Sequence, residues 1–159
     1  MLRILFYQFN SNILDIGSNK CYTSGRKAKK MSKEKIKLLV VDDMEVIREG
    51  VKFFFEDKGY FVFTAESAEQ ALPIIKEERL DLIITDMNLL GMSGMELVKL
   101  VRQFNNAVKV IMVSGANLNF YMEPRFRKLN ISQLIPKPLT FDELESAVKK
   151  ELGLIKKGE

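Results

Sequence analysis

Leu82-Ile83-Ile84-Thr85-Asp86-Met87-Asn88 is the stretch whose reading decides the fold. An apolar run of strand type ends there at a carboxylate. Three other places repeat the logic. Leu38-Leu39-Val40-Val41 ends at Asp42-Asp43, Val110-Ile111-Met112-Val113 at Ser114, and Leu134-Ile135-Pro136 at Lys137. Short continuous apolar runs mark parallel strands buried on both faces. In open α/β sheets ligands bind just beyond the carboxyl ends of such strands. Asp42, Asp43, Asp86, Ser114 and Lys137 are therefore expected to converge on one small pocket.

A chain of 159 residues fits one domain with a sizeable core. No apolar run approaches the roughly 20 residues of a membrane span. The single cysteine, Cys21, cannot form an internal disulfide, and no Cys/His cluster could hold zinc. There is no histidine, which excludes a histidine triad, general base or metal site. Residues 1–30 carry six Lys/Arg and one acid, Asp15, for a local charge of +5; the remainder carries −1. The sequence pI of about 9.1 thus belongs to the leader and is weak support for nucleic-acid binding by the domain.

Residues 1–35 read as a basic, disordered extension. Met31-Ser32-Lys33 would make a natural start just before the first strand, and a targeting peptide or a basic tail for membrane or nucleic acid are the other readings of the leader. From Ile36 strand and helix alternate five times. Strands are expected over 36–41, 60–64, 80–85, 108–113 and 133–135. A helix over 45–57 has Ile47, Val51, Phe54 and Phe55 on one face, and Gly59 stops it. Ser67 with Gln70, Ser93 with Glu96 and Thr140 with Glu143 have the spacing of capping boxes opening three more helices. Pro73 predicts a short or distorted second helix. The third is expected to bury Leu97, Leu100, Val101 and Phe104, and the last Leu144, Val148 and Leu152. A short helix over 123–129 would begin near Pro124. Five β/α units imply a parallel sheet with helices on both faces.

Three carboxylates in one pocket repel each other, and a divalent cation relieves this. All-oxygen ligands favour a hard ion, Mg²⁺ before Mn²⁺ or Ca²⁺. The bland reading is that acids at strand ends cap helices or face solvent. It fits Asp42-Asp43 alone, but not Asp86, Ser114 and Lys137 at matching strand ends as well. A carboxylate can act as a nucleophile toward phosphorus. That transfer needs charge neutralisation and positioning more than a base. Lys137 adds a charge, the Ser114 hydroxyl can donate to a phosphoryl oxygen, and Gly115 and Ala116 leave space and backbone N–H groups. Lys137 sits between Pro136 and Pro138, and its bond to Pro138 is a candidate cis peptide.

Residues 36–152 resemble a receiver domain of two-component response regulators, of the single-domain, chemotaxis-regulator-like kind. The matching fragments are Val40-Val41-Asp42-Asp43, Asp86 with Gly91-Met92-Ser93-Gly94 after it, Ser114-Gly115-Ala116, and Lys137-Pro138. Asp86 follows Asp43 by 43 residues, Ser114 follows Asp86 by 28, and Lys137 follows Ser114 by 23. Each fragment alone is weak; the ordered set is specific. The resemblance implies a doubly wound, flavodoxin-like five-stranded sheet of order 2-1-3-4-5. It implies that Asp86 is the phosphoacceptor, that Asp43, Asp86 and the Asn88 backbone carbonyl ligate Mg²⁺, and that Asp42 acts largely through water. Ser114 and Lys137 would bind the phosphoryl group, with Gly115 and Ala116 offering backbone contacts. The resemblance also implies a cytoplasmic protein that is not a turnover enzyme. Its donor would be a sensor histidine kinase or phosphotransfer protein.

Output is expected through protein contact or onward phosphotransfer, because few residues (153–159) follow the last helix. The expected face is the fourth helix, fifth strand and fifth helix; a homodimer is compatible with it, and a membrane partner is not expected. Three positions depart from the family pattern. Leu90 replaces a proline, Asn130 a glycine, and Leu134 the usual switch aromatic. Asn tolerates left-handed backbone. Phe120, Tyr121, Met122 and Phe126 crowd the segment before Leu134 as core or as a partner surface. The rival readings are a phosphorylation-independent pseudo-receiver and an aspartyl-nucleophile phosphohydrolase. The hydrolase would need a second acid two places after its nucleophile, where Asn88 stands. No glycine-rich phosphate loop follows the first strand, which disfavours a dinucleotide binder.

Overall fold

The computed structural model describes residues 34–115 and 128–155, with the backbone of three short strands nearer the N-terminus. The first body of structure follows the expected alternation. Strands β1 (Lys37–Val41), β2 (Phe61–Ala65), β3 (Leu82–Asp86), β4 (Lys109–Ser114) and β5 (Gln133–Pro136) form one parallel sheet in the order β2-β1-β3-β4-β5. Helices α1 (Glu45–Asp57), α2 (Ala68–Glu77), α3 (Gly94–Val101) and α4 (Phe141–Glu151) cover it.

Alternate strand residues point to opposite faces, and here both faces are buried. Leu38, Val40, Leu82, Ile84, Ile111 and Val113 pack with Val51 and Phe55 of α1 and Leu144 and Val148 of α4. Leu39, Val41, Ile83, Val110 and Met112 pack with Ala71 and Ile75 of α2 and Leu97, Val98 and Val101 of α3. Two cores therefore sandwich the sheet, which is why its strands read as unbroken apolar runs. The strand order reverses between β1 and β3, and a crevice opens there at the carboxyl ends.

Local signals set the helix ends. Gly59 (φ 87°) and Tyr60 send their N–H groups back to Glu56 and Phe55, closing α1 with a left-handed residue that costs glycine nothing. Ser93–Glu96 and Thr140–Glu143 form complete reciprocal capping boxes. The box at α2 is half formed. Ser67 caps Gln70 N–H, but Gln70 Oε1 accepts from Glu66 N–H instead of Ser67. Helix α2 runs unbroken for ten residues through Pro73. Pro73 lies on the exposed side, where the carbonyl it deprives of a donor can turn to water.

Helix α3 is shorter than its apolar pattern suggests. The Arg102 guanidinium, beyond its end, donates to the carbonyls of Asn105, Val108, Leu129 and Asn130. The chain turns there, so Phe104 leaves the buried face and is half exposed. Asn130 has φ 48°, the left-handed geometry expected of it. Of the helix expected over 123–129, residues up to 127 lie outside the described ones, as do Phe120, Tyr121, Met122, Phe126 and Ala116.

Residues Met1–Glu34 form a separate unit. Gln8–Phe9, Asn12–Leu14 and Cys21–Tyr22 pair antiparallel in it, where the sequence reading expected no regular structure. The remainder of residues 1–33 lies outside the described residues.

Candidate functional site

The register of the sheet brings the strand ends level. Val41 lies opposite Thr85, Asp86 opposite Val113, and Ser114 opposite Pro136. The residues at or just past these positions are Asp42, Asp86, Ser114 and Lys137. Sequence separation of 95 residues between Asp42 and Lys137 collapses to a 3.2 Å ion pair. Ser114 is fully buried, and its carbonyl accepts the Lys137 N–H at 2.7 Å. The Lys137–Pro138 bond is cis.

Asp42, Asp43 and Asp86 each offer a carboxylate oxygen, and these oxygens lie within 4.8 Å of one another. Asp42 and Asp86 are buried, and Asp43 is the most open of the three. Lys137 Nζ is shared between Asp42 Oδ2 and Asp86 Oδ2. Partial burial pushes the lysine ammonium down, but its hydrogen bond to Asp86 and the charges of Asp42 and Asp86 outweigh this and hold it above the usual lysine value. Lys137 is therefore a cation at neutral pH. Three carboxylates face one lysine, so the cluster retains a negative charge. All donors are hard oxygens at the open end of a crevice, which fits a small divalent cation of the Mg²⁺ class. The exposed Asn88, two residues past Asp86, can add its backbone carbonyl.

The remaining polar groups fix the two strand-end loops. Asp86 Oδ1 accepts the Asn88 N–H at 2.9 Å, and Asp42 Oδ1 accepts the Met44 N–H at 2.9 Å. Each carboxylate thus keeps one oxygen on its own loop and turns the other to Lys137. Among the described residues, nothing lies within 4 Å of where a Cβ at Gly115 would stand.

The sequence reading assigned no role to three residues at the site. Arg48 Nη1 donates to the carbonyls of Asp42 at 2.8 Å and Asp43 at 3.1 Å, clamping the acid pair from α1. Its signal was a basic residue one helical turn inside α1. Thr85, fully buried, donates its hydroxyl to the Asp86 carbonyl at 3.0 Å. A lone hydroxyl within an apolar run was its signal. Gly94 is required by contact: a Cβ there would lie 2.0 Å from the Asp86 carbonyl oxygen. Leu134 is half-buried and packs against the α2/α3 core.

Comparisons with known proteins agree with this geometry. Residues 38–149 match the model of the response regulator receiver domain. The chain is 35% identical over 119 residues to sporulation initiation phosphotransferase F of Bacillus subtilis, covering 74% of this chain and 94% of that protein. It is 32% identical over 117 residues to the sensor histidine kinase AruS of Pseudomonas aeruginosa, of which it spans only 12%. Among solved structures, a CheY-like receiver domain protein from Methanospirillum hungatei superposes with a TM-score of 0.70 at 29% identity, over 76% of this chain and 95% of that one. Among the described residues no helix is long and apolar enough to cross a membrane. Strand order, strand-end acids and sequence similarity give one answer: this chain belongs to the response regulator receiver domain family.

Proposed function

We propose that the protein accepts a phosphoryl group on Asp86 and passes the signal on, as a receiver in two-component signal transduction. The observation that carries this reading is the convergence of Asp42, Asp43 and Lys137 on a buried Asp86. In the reaction an Asp86 carboxylate oxygen attacks the phosphorus of a phosphohistidine or a small acyl phosphate. A new P–O bond forms as the donor's P–N or P–O bond breaks, and the donor leaves with its electron pair. Mg²⁺, held by Asp42, Asp43, Asp86 and the Asn88 carbonyl, would supply two positive charges against the phosphoryl oxygens.

The protein's own groups do the positioning. Asn88 N–H fixes Asp86 Oδ1, and Lys137 neutralises the carboxylate before transfer and can follow the charge onto a phosphoryl oxygen. The Ser114 hydroxyl and the Gly115 N–H would supply further donors; Ala116, expected to add another, lies outside the described residues. Acceptance is stoichiometric; the chain acts as a switch that loses its phosphoryl group slowly, not as a turnover enzyme.

Similarity to a phosphotransferase over 94% of that relative's length favours onward transfer to a phosphotransfer protein as the output. Protein contact through the face around β5 and α4 is the other route. Leu134, packed where the family usually has an aromatic, favours a second reading, in which the fold signals without phosphate. Incubation with Mg²⁺ and an acyl phosphate, followed by intact mass spectrometry, separates the two. The expected product is one alkali-labile phosphoryl group per chain, absent from Asp86→Asn. Equal incorporation in that variant, or none in the wild type, contradicts the proposal.

A further inference from the structure

Between α1 and the start of α4 lies a cavity of about 510 Å³. Ile84 and Val113 of the sheet form its floor, Ile47 and Val51 one wall, and Leu139 and Leu144 the other. Met44, Pro138 and Phe141 are the exposed residues of the lining and mark its mouth. The Phe141 ring lies over α1 at Gly50, where an added Cβ would come within 3.1 Å of it. It also rests on Phe54, with ring centroids 5.2 Å apart. The ring is thus held at the mouth and leaves the space behind it free. Small-molecule pockets span about 300–1,000 Å³, and an apolar cavity of about 150 Å³ already holds benzene. On that scale a phenylalanine ring from a partner protein would fill only about a third of this one.

The charged end of the cavity is already satisfied from within the protein. Asp42 Oδ1 accepts the Met44 N–H and Asp86 Oδ1 the Asn88 N–H, while Lys137 Nζ donates to the second oxygen of each carboxylate. These three are the only polar side chains of the lining, so every side-chain oxygen and nitrogen there has a partner. A charged or strongly polar occupant would give up its hydration to apolar walls that return no hydrogen bond. An uncharged apolar one gains by leaving water. Phe141 at the mouth favours a flat aromatic body over an aliphatic one, because ring pairs add attraction beyond the area they bury. We propose that this cavity binds an uncharged aromatic compound of about naphthalene size, seated between Ile47 and Val51 on one side and Leu139 and Leu144 on the other. The occupant draws on neither carboxylate, so its binding is independent of Asp86 phosphorylation and of a cation at the acid cluster.

The test uses the full chain, methyl NMR and three probes of one ring system: naphthalene, naphthylmethylamine and naphthoate. Naphthalene is expected to shift the methyl signals of Val51, Val113 and Leu144. Those of Ile75 and Leu97, in the core on the other face of the sheet, should stay in place. Both charged probes are expected to bind more weakly by about tenfold or more, a difference of about 1.4 kcal/mol. Saturating Mg²⁺ should leave the Kd of naphthalene unchanged. Ile47→Trp, which fills the cavity, should abolish binding while the Ile75 and Leu97 signals keep their wild-type positions. If that variant loses those positions, Leu139→Trp takes its place. Lining methyls that do not move in a naphthalene-saturated solution would overturn the proposal. So would equal shifts on both faces of the sheet, a charged probe that binds as tightly, or a Kd that rises about tenfold with Mg²⁺.

Discussion

Arg48 donates to two backbone carbonyls that any residues at positions 42 and 43 would present. A sequence shows side chains, so a residue whose partners are main-chain atoms leaves no pairing to find. The carboxylates were legible because strand ends announced them; Arg48 and Thr85 were not, because each acts on a carbonyl. Supporting groups of this kind typically shift metal affinity about 10–100-fold. Arg48→Met is therefore expected to weaken Mg²⁺ about tenfold or more, with Arg48→Lys recovering part of the loss. Melting without Mg²⁺ provides the control, since a general packing defect would lower it in step. Gly94 gives a sharper case. Alanine there gains helix propensity, yet its Cβ falls 2.0 Å from the Asp86 carbonyl oxygen. The expected cost is about 1–3 kcal/mol by denaturant unfolding, as for other overpacked sites. Equal or greater stability in Gly94→Ala would contradict the contact.

Secondary structure was legible wherever local chemistry decided it. Each strand follows an apolar run, and Ser93, Thr140 and Gly59 mark helix ends where they were expected. The end of α3 was not legible, because Arg102 reaches carbonyls as far as 28 residues away in sequence. The capping boxes also predict a pH dependence. Hydrogen bonds from the Ser93 hydroxyl and backbone lower the Glu96 carboxyl below its usual range, and the Thr140 backbone and hydroxyl do so for Glu143. A lowered folded-state value means stability that is present above the unfolded carboxylate value of about 4.3 and lost as pH falls through the folded one. The first turns of α3 and α4 are expected to exchange amide hydrogen faster, relative to the intrinsic rate, as pH drops through that window. Glu96→Gln should remove the dependence at α3 alone; its persistence there would refute the capping account.

Fold and acid set are two consequences of one arrangement, a sheet buried on both faces whose strand ends open at the order reversal between β1 and β3. That is why four short stretches sufficed to read it. A cation held in this crevice, as proposed, would tie stability to its binding. A cation bound only by the folded chain adds about 2.7 kcal/mol at a concentration 100 times its Kd. Wild type should melt at progressively higher temperature as Mg²⁺ rises, and Asp43→Asn should need far more Mg²⁺ for the same gain. The central claim is that the strand-end acids hold a divalent cation and present Asp86 to a phosphoryl group. Its most direct test is a backbone NMR titration with Mg²⁺ and beryllofluoride, an acyl-phosphate mimic, on wild type and Asp86→Asn. The account predicts shifts in wild type at Asp86, Ser114 and Lys137 that spread into β5 and α4, and none from beryllofluoride in the variant. A wild type that binds neither ligand, or a variant that responds identically, would contradict it.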